Sequence, residues 1–114
     1  MFRDGPTMEA GLEKVRALGG RYRAGVWVQD RSSTFNNDLT FALEVGYITE
    51  LAQVMAVGAI NRTESRGAHS RTDFPERDDA TWMKHTVAFK DGDDVRLGYS
   101  EVTVTKYEPQ VRSY

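Results

Sequence analysis

A chain of 114 residues suits one small domain with a single modest core. Its formal charge of −2 and pI near 5.7, with acids interleaved among the Lys and Arg residues, provide no basic field and exclude nucleic acid as a partner. Without cysteine there is no disulfide framework, no thiolate nucleophile and no sulfur-ligated metal or iron–sulfur cluster. The start, Met1-Phe2-Arg3-Asp4-Gly5-Pro6, lacks the apolar core of a signal peptide, and the sequence suggests no run of roughly 20 apolar residues. A soluble, cytoplasmic chain is expected.

In chain order, Thr7 is the expected N-cap of a first helix, with Glu9 complementing the dipole. Met8, Leu12, Val15 and Leu18 fall on one face, so the helix is predicted over about 8–23, with Gly19 and Gly20 weakening its last turns. Val26-Trp27-Val28 is a short β-prone run, and Gln29 to Ser33 is a polar connection. Asn36, Asn37 or Asp38 can cap a second helix, predicted over 37–63 from the 3.6-residue period of Leu39, Leu43, Tyr47, Leu51, Val54, Met55 and Ile60. Ala42, Gly46, Ala52 and Ala56 would let a neighbouring helix approach closely.

A charged loop follows over 64–79, in which Gly67 is placed to cap the preceding helix and Phe74-Pro75 to anchor the segment. A short helix is predicted over about 78–85, carrying Trp82 and His85. From 86 to 114 the chain reads as extended: Val87-Ala88-Phe89, a turn containing Asp91-Gly92, alternating Val95, Leu97 and Tyr99, then Val102 and Val104, with a tail from Gln110 to Tyr114 that needs a surface to order it. The fold class is therefore mainly α, two helices followed by two or three strands.

Chemistry concentrates in residues 61–79, where Arg62, Arg66, Arg71 and Arg77 alternate with Glu64, Asp73, Glu76, Asp78 and Asp79 around His69. The plain expectation for such a run is a solvated loop. The functional one is a clamp between domains or subunits, because a guanidinium presents a fixed fork of donors to carboxylates on an opposing surface. Ser65 or Ser70 beside His69, with Glu64 or Asp73 as orienting acid, has the composition of a nucleophilic cluster, although such clusters are usually hydrogen-bond networks. Two histidines and no cysteine offer little to a metal, and dinucleotide, P-loop and nucleophile-elbow motifs are missing. Asn61-Arg62-Thr63 matches a glycosylation sequon by chance at a helix end.

The ordered run Glu64-Ser65-Arg66-Gly67-Ala68-His69, Arg71, Asp73-Phe74-Pro75 and Arg77-Asp78-Asp79, followed by Trp82 and Lys84-His85-Thr86, resembles the C-terminal domain of succinate dehydrogenase and fumarate reductase flavoprotein subunits. Phe2-Arg3-Asp4-Gly5, Phe35-Asn36-Asn37-Asp38-Leu39 and the closing Arg112-Ser113-Tyr114 extend the likeness over residues 1–114. L-Aspartate oxidases share Glu64 to Gly67, but His85-Thr86 and the ending fit the dehydrogenase and reductase group better.

The resemblance implies an up-and-down, spectrin-repeat-like three-helix bundle followed by a β-hairpin and extended tail. This chain starts after the position of the family's first bundle helix, so the face of Leu39, Leu43, Tyr47 and Leu51 is expected to be partly open and covered by self-association. It also implies a parent subunit that binds FAD and interconverts succinate and fumarate, peripheral to the cytoplasmic membrane face. The family's catalytic and flavin-binding residues lie in segments upstream of the match. This chain is therefore expected to hold no cofactor, catalytic residue or metal. Glu64, Arg66, His69, Arg71, Asp73, Arg77 and Asp78 are assigned to an interdomain and assembly loop. The expected partners are the parent's flavin-binding domain and, as a candidate, its iron–sulfur subunit. The alternative is a free-standing small module that binds or assembles with such a complex.

Overall fold

The computed structural model describes residues 3–110; Met1, Phe2 and the closing Val111-Arg112-Ser113-Tyr114 lie outside them. Helix α1 spans Gly5–Ala24, α2 Asn37–Asn61 and α3 Asp79–Trp82, followed by strands β1, Lys84–Asp91, and β2, Asp94–Glu101. The mainly helical fold class with one antiparallel hairpin is as the sequence indicated. The molecule is elongated, 56 × 33 × 31 Å.

Several local details differ from the sequence expectation. Asp4, not Thr7, caps α1: its carboxylate accepts from the Thr7 backbone N–H at 2.9 Å, and Pro6 sits in the first turn, where a missing N–H costs nothing. The helix continues through Gly19 and the exposed Gly20, and Gly19 is buried beside Thr49 of α2. Asn36 caps α2 through the Leu39 N–H at 2.8 Å while its own amide donates to the carbonyls of Asp30 and Ser32, so one side chain ties the loop to the helix start. Val26-Trp27-Val28 forms no strand, having no partner to pair with.

The helix α2 ends at Asn61. Gly67 does not cap it but occupies a tight turn, with φ +59°, closed by reciprocal backbone bonds between Arg66 and His69 of 2.8 and 3.0 Å. α3 is only four residues long, and His85 belongs to β1, opposite Ser100. The hairpin turns on Gly92-Asp93, with Gly92 at φ +60° as the first central position of a two-residue turn requires. No third strand forms at Val102 or Val104.

Gly19 faces Thr49 and Tyr22 faces Gly46, so α1 and α2 run antiparallel. The hairpin lies along the second half of α2, held by polar links: Tyr99 to Asn61, the Gln53 amide to the Asp93 carbonyl at 3.2 Å, Lys90 to Glu50 at 2.7 Å, and Arg16 of α1 to Asp94 at 2.8 Å. Trp82 is the buried apolar side chain of this core. The expected open face is present: Leu39, Leu43, Tyr47 and Leu51 are all exposed, and so are Phe41, Val45, Ile48 and Met55 on the other sides of α2. An 18-residue window of α2 has a mean hydropathy of 1.3, so by length and composition the helix could cross a bilayer, contrary to the sequence expectation. Within this chain α2 contacts α1 and the hairpin, and 6% of that window is buried.

The close approach at Gly46 is testable. A Cβ there would lie 2.6 Å from the Tyr22 ring. Gly46→Ala is expected to destabilise the chain, whereas in a Tyr22→Ala background the same change should stabilise it by about 1 kcal/mol, the ordinary helix-propensity gain. Urea unfolding of the two single variants and the double variant checks the reversal of sign.

Candidate functional site

The charged segment is not a solvated loop. It folds into a compact knot built around two ion-paired centres, Arg71–Asp73 and Glu64. Arg71, 4% exposed, holds Asp73 with both ends of its fork, Nε to Oδ1 at 2.9 Å and Nη2 to Oδ2 at 2.6 Å. Its remaining Nη1 donates to the carbonyls of Ile60 at 2.8 Å and Arg62 at 3.2 Å, groups that a helix end leaves without partners. The Oδ2 of Asp73, which takes Arg71 Nη2, also accepts from the Gly5 N–H at 2.9 Å, at the opposite dipole end of α1. One ion pair thus caps the C-terminus of α2 and the N-terminus of α1 together. The Arg3 carbonyl, accepting from Thr72 N–H at 2.8 Å, adds a backbone tie at the same place.

Glu64 is the second centre and is fully buried. Its carboxylate accepts from Arg62 at 2.5 Å, from Arg66 at 2.8 and 3.0 Å, and from the Asp78 N–H at 2.9 Å. Burial pushes this carboxyl up, and the hydrogen bonds from Arg66, Asp78 and Arg62 outweigh it and hold the group below its ordinary value. Arg66 continues to Asp79 at 2.5 Å, and Asp79 takes Arg77 at 2.6 Å, whose other nitrogen reaches the Gln110 carbonyl at 2.6 Å. Asp78 caps α3 through Thr81 N–H. Asp73 is held far below the usual carboxylate range, chiefly by Arg71.

His69 accepts nothing from a serine. Its Nε2 lies 3.3 Å from the Arg62 carbonyl, and burial, reinforced by Arg3, Arg71 and Arg62, lowers its pKa. The Ser65 hydroxyl donates to the Phe74 carbonyl at 2.8 Å and accepts from the Arg71 N–H at 2.8 Å, so it is a turn hub rather than a nucleophile. The Asn61-Arg62-Thr63 triplet is likewise structural, with Asn61 accepting from Tyr99 and Thr63 from the Trp82 indole. No group of three or more His, Asp or Glu suited to a metal occurs among the described residues.

Sequence reasoning brought Glu64, Arg66, His69, Arg71, Asp73, Arg77 and Asp78 into one assignment, and the structure brings them into one network. Arg62 and Trp82, named in the sequence, were left out of that assignment. Arg62 donates to the carbonyls of Trp82 at 3.0 Å and Lys84 at 2.7 Å while its guanidinium lies 5.1 Å from the centre of the Trp82 ring. A separation of 20 residues leaves no local signal for that contact.

Residues 1–114 match the family described as the fumarate reductase flavoprotein C-terminus. The chain belongs to that family. It is 44% identical over 115 residues to the fumarate reductase flavoprotein subunit of Haemophilus influenzae, covering 100% of this chain and 19% of that protein. With the succinate dehydrogenase flavoprotein subunit of Coxiella burnetii it shares 49% identity over 92 residues, 81% of this chain and 16% of the relative. A solved E. coli quinol fumarate reductase superposes with a TM-score of 0.89 at 40% identity, covering 96% of this chain and 19% of that chain. The chain therefore spans about a fifth of the length of the relatives it matches.

The pKa shifts fix the direction of the pH response. His69 is held below its ordinary 6.5, so its contribution to stability is complete above that value and declines as acid protonates the folded form. Glu64 and Asp73 are held below ordinary values of 4.5 and 3.8, and their contribution is lost on further acidification. Urea unfolding across pH should show a neutral plateau and a two-stage acid decline, of which His69→Gln removes the first stage. Glu64→Ala should lower the plateau by roughly 3–5 kcal/mol by stranding buried guanidinium groups.

Proposed function

We propose that this domain has a non-catalytic role in a flavoprotein that interconverts succinate and fumarate. In that reading FAD and the reacting residues belong to the polypeptide outside this chain, and this domain supports the flavin-binding part and the assembly of the complex. The match over the whole chain, confined to a fifth of each relative, carries the reading. Its partners in that reading are the flavin-binding domain and, as a candidate, the iron–sulfur subunit. The parent is cytoplasmic, peripheral to the membrane face. The loop of Glu64, Arg66, His69, Arg71, Asp73, Arg77 and Asp78 acts in assembly by holding a rigid shape, because its guanidinium groups are engaged within the chain.

Replacing the C-terminal fifth of the Haemophilus influenzae subunit with this chain tests the proposal. The chimera should keep bound flavin and reduce fumarate within about tenfold of the parent rate, while the truncated parent without a replacement should lose flavin. Flavin binding or fumarate reduction by this chain alone would overturn it.

The exposed surface of α2 has a consequence for the isolated chain. A helix that is apolar on all sides needs cover on all sides, and in isolation we propose that a second copy supplies it. Sedimentation should give a mass above the 12.9 kDa of the monomer, and Leu43→Glu with Ile48→Glu should return it to the monomer. A monomeric parent chain at high concentration would exclude self-association.

A further inference from the structure

An open groove of about 720 Å³ runs between the end of α2, the knot and the start of β1. Its charged and titratable lining is entirely of one kind: Arg3, Arg62, Arg66, His69, Lys84 and His85, with no Asp or Glu. This one-sided lining stands out in a chain whose net charge is −2. Arg62 and Arg66 turn donors toward Glu64, which lies behind them, but Lys84 has no carboxylate within ion-pair distance among the described residues. Its ammonium instead rests 4.8 Å from the centre of the Trp82 ring and 4.1 Å from that of Tyr99. The Arg3 guanidinium makes one long hydrogen bond among the described residues, of 3.3 Å to the Ala68 carbonyl. Met55, Ala59, Met83 and Val102 add apolar wall.

Resting on the assembly role above, we propose that this groove docks an extended polypeptide segment in which acidic and apolar residues alternate, supplied by the polypeptide outside this chain. Charge complementarity selects the acid: the Lys84 ammonium, held over aromatic rings and not neutralised by a described neighbour, attracts carboxylates and repels basic segments. The apolar wall selects a polypeptide over a small anion, since an apolar centre with a charged rim is the anatomy of a protein interface. The rigidity of the surroundings adds to this, because Arg62 and Glu64 fix the wall before anything binds, so little ordering is lost on docking.

The test uses the chain itself and so is independent of whether the chimera works. The blocked peptide acetyl-Leu-Glu-Leu-Glu-Leu-Glu-amide is titrated into the ¹⁵N-labelled protein and followed by NMR, beside its Lys-for-Glu counterpart, succinate and AMP. Saturable shifts confined to Arg3, His69, Lys84, His85 and Met55 are expected with the acidic peptide alone, and weaker binding is expected as salt rises. Lys84→Gln with Arg3→Gln should weaken binding about tenfold, whereas Arg16→Gln, on the far side, should leave it unchanged. No saturable shifts, equal binding of the lysine peptide, or displacement of the acidic peptide by succinate or AMP would each overturn the proposal. Should the double variant lose its folded spectrum, Lys84→Gln alone with unaltered affinity would overturn it equally.

Discussion

The bidentate pair between Arg71 and Asp73 is the constraint on which the arrangement of the two long helices depends. An antiparallel helix pair brings the negative end of one dipole beside the positive end of the other, and both ends carry backbone groups that the helix cannot satisfy. Arg71 meets the carbonyls of Ile60 and Arg62, Asp73 meets the Gly5 N–H, and the two side chains meet each other. Each charge is thereby compensated twice, by its partner and by a helix end. An isolated buried arginine would be costly, and here the desolvation is offset by donors and acceptors that needed partners in any case.

The same economy extends through the rest of the domain, because apolar burial is scarce. Trp82 is buried under Arg62 and Lys84 with Tyr99 at its edge, so even the buried aromatic side chain is packed largely by cations. Order at the end of α2 comes from a network in which Glu64, Arg66, Asp79 and Arg77 follow one another in sequence toward Gln110. The apolar surface of α2 contributes little within this chain. A domain with a polar knot at one end and an uncovered apolar helix along its length has the physical character of a part of a larger body.

How much of this was legible in the sequence depended on the range of the interaction. The period of Leu39, Leu43, Tyr47 and Leu51 located α2 to within two residues, because helix formation is local and the caps are near the positions they cap. The hairpin was legible for the same reason, since Asp91-Gly92 carries its own turn chemistry. Val26-Trp27-Val28 was misread because propensity without a partner strand makes no sheet, and Gly67 because positive φ serves a turn as readily as a helix cap. The membership of the knot could be named from the resemblance. Its wiring could not, since Asp73 meets Gly5 across 68 residues and Arg62 meets Thr86 across 24.

That wiring changes what an arginine-rich segment signifies. Read as composition, four arginines in a short run suggest a clamp reaching outward, and a docking face would be sought on the loop itself. In the folded domain Arg62, Arg66, Arg71 and Arg77 each have carboxylate or carbonyl partners within the chain. Charge that is already compensated contributes shape and rigidity but little long-range attraction. The attraction that remains comes from residues that composition did not single out, Lys84 on its two aromatic rings and Arg3 on one long hydrogen bond, and they are oriented by the knot behind them. The sequence run and the groove therefore share Arg62, Arg66 and His69, but the cations left uncompensated, Lys84 and Arg3, lie outside the run.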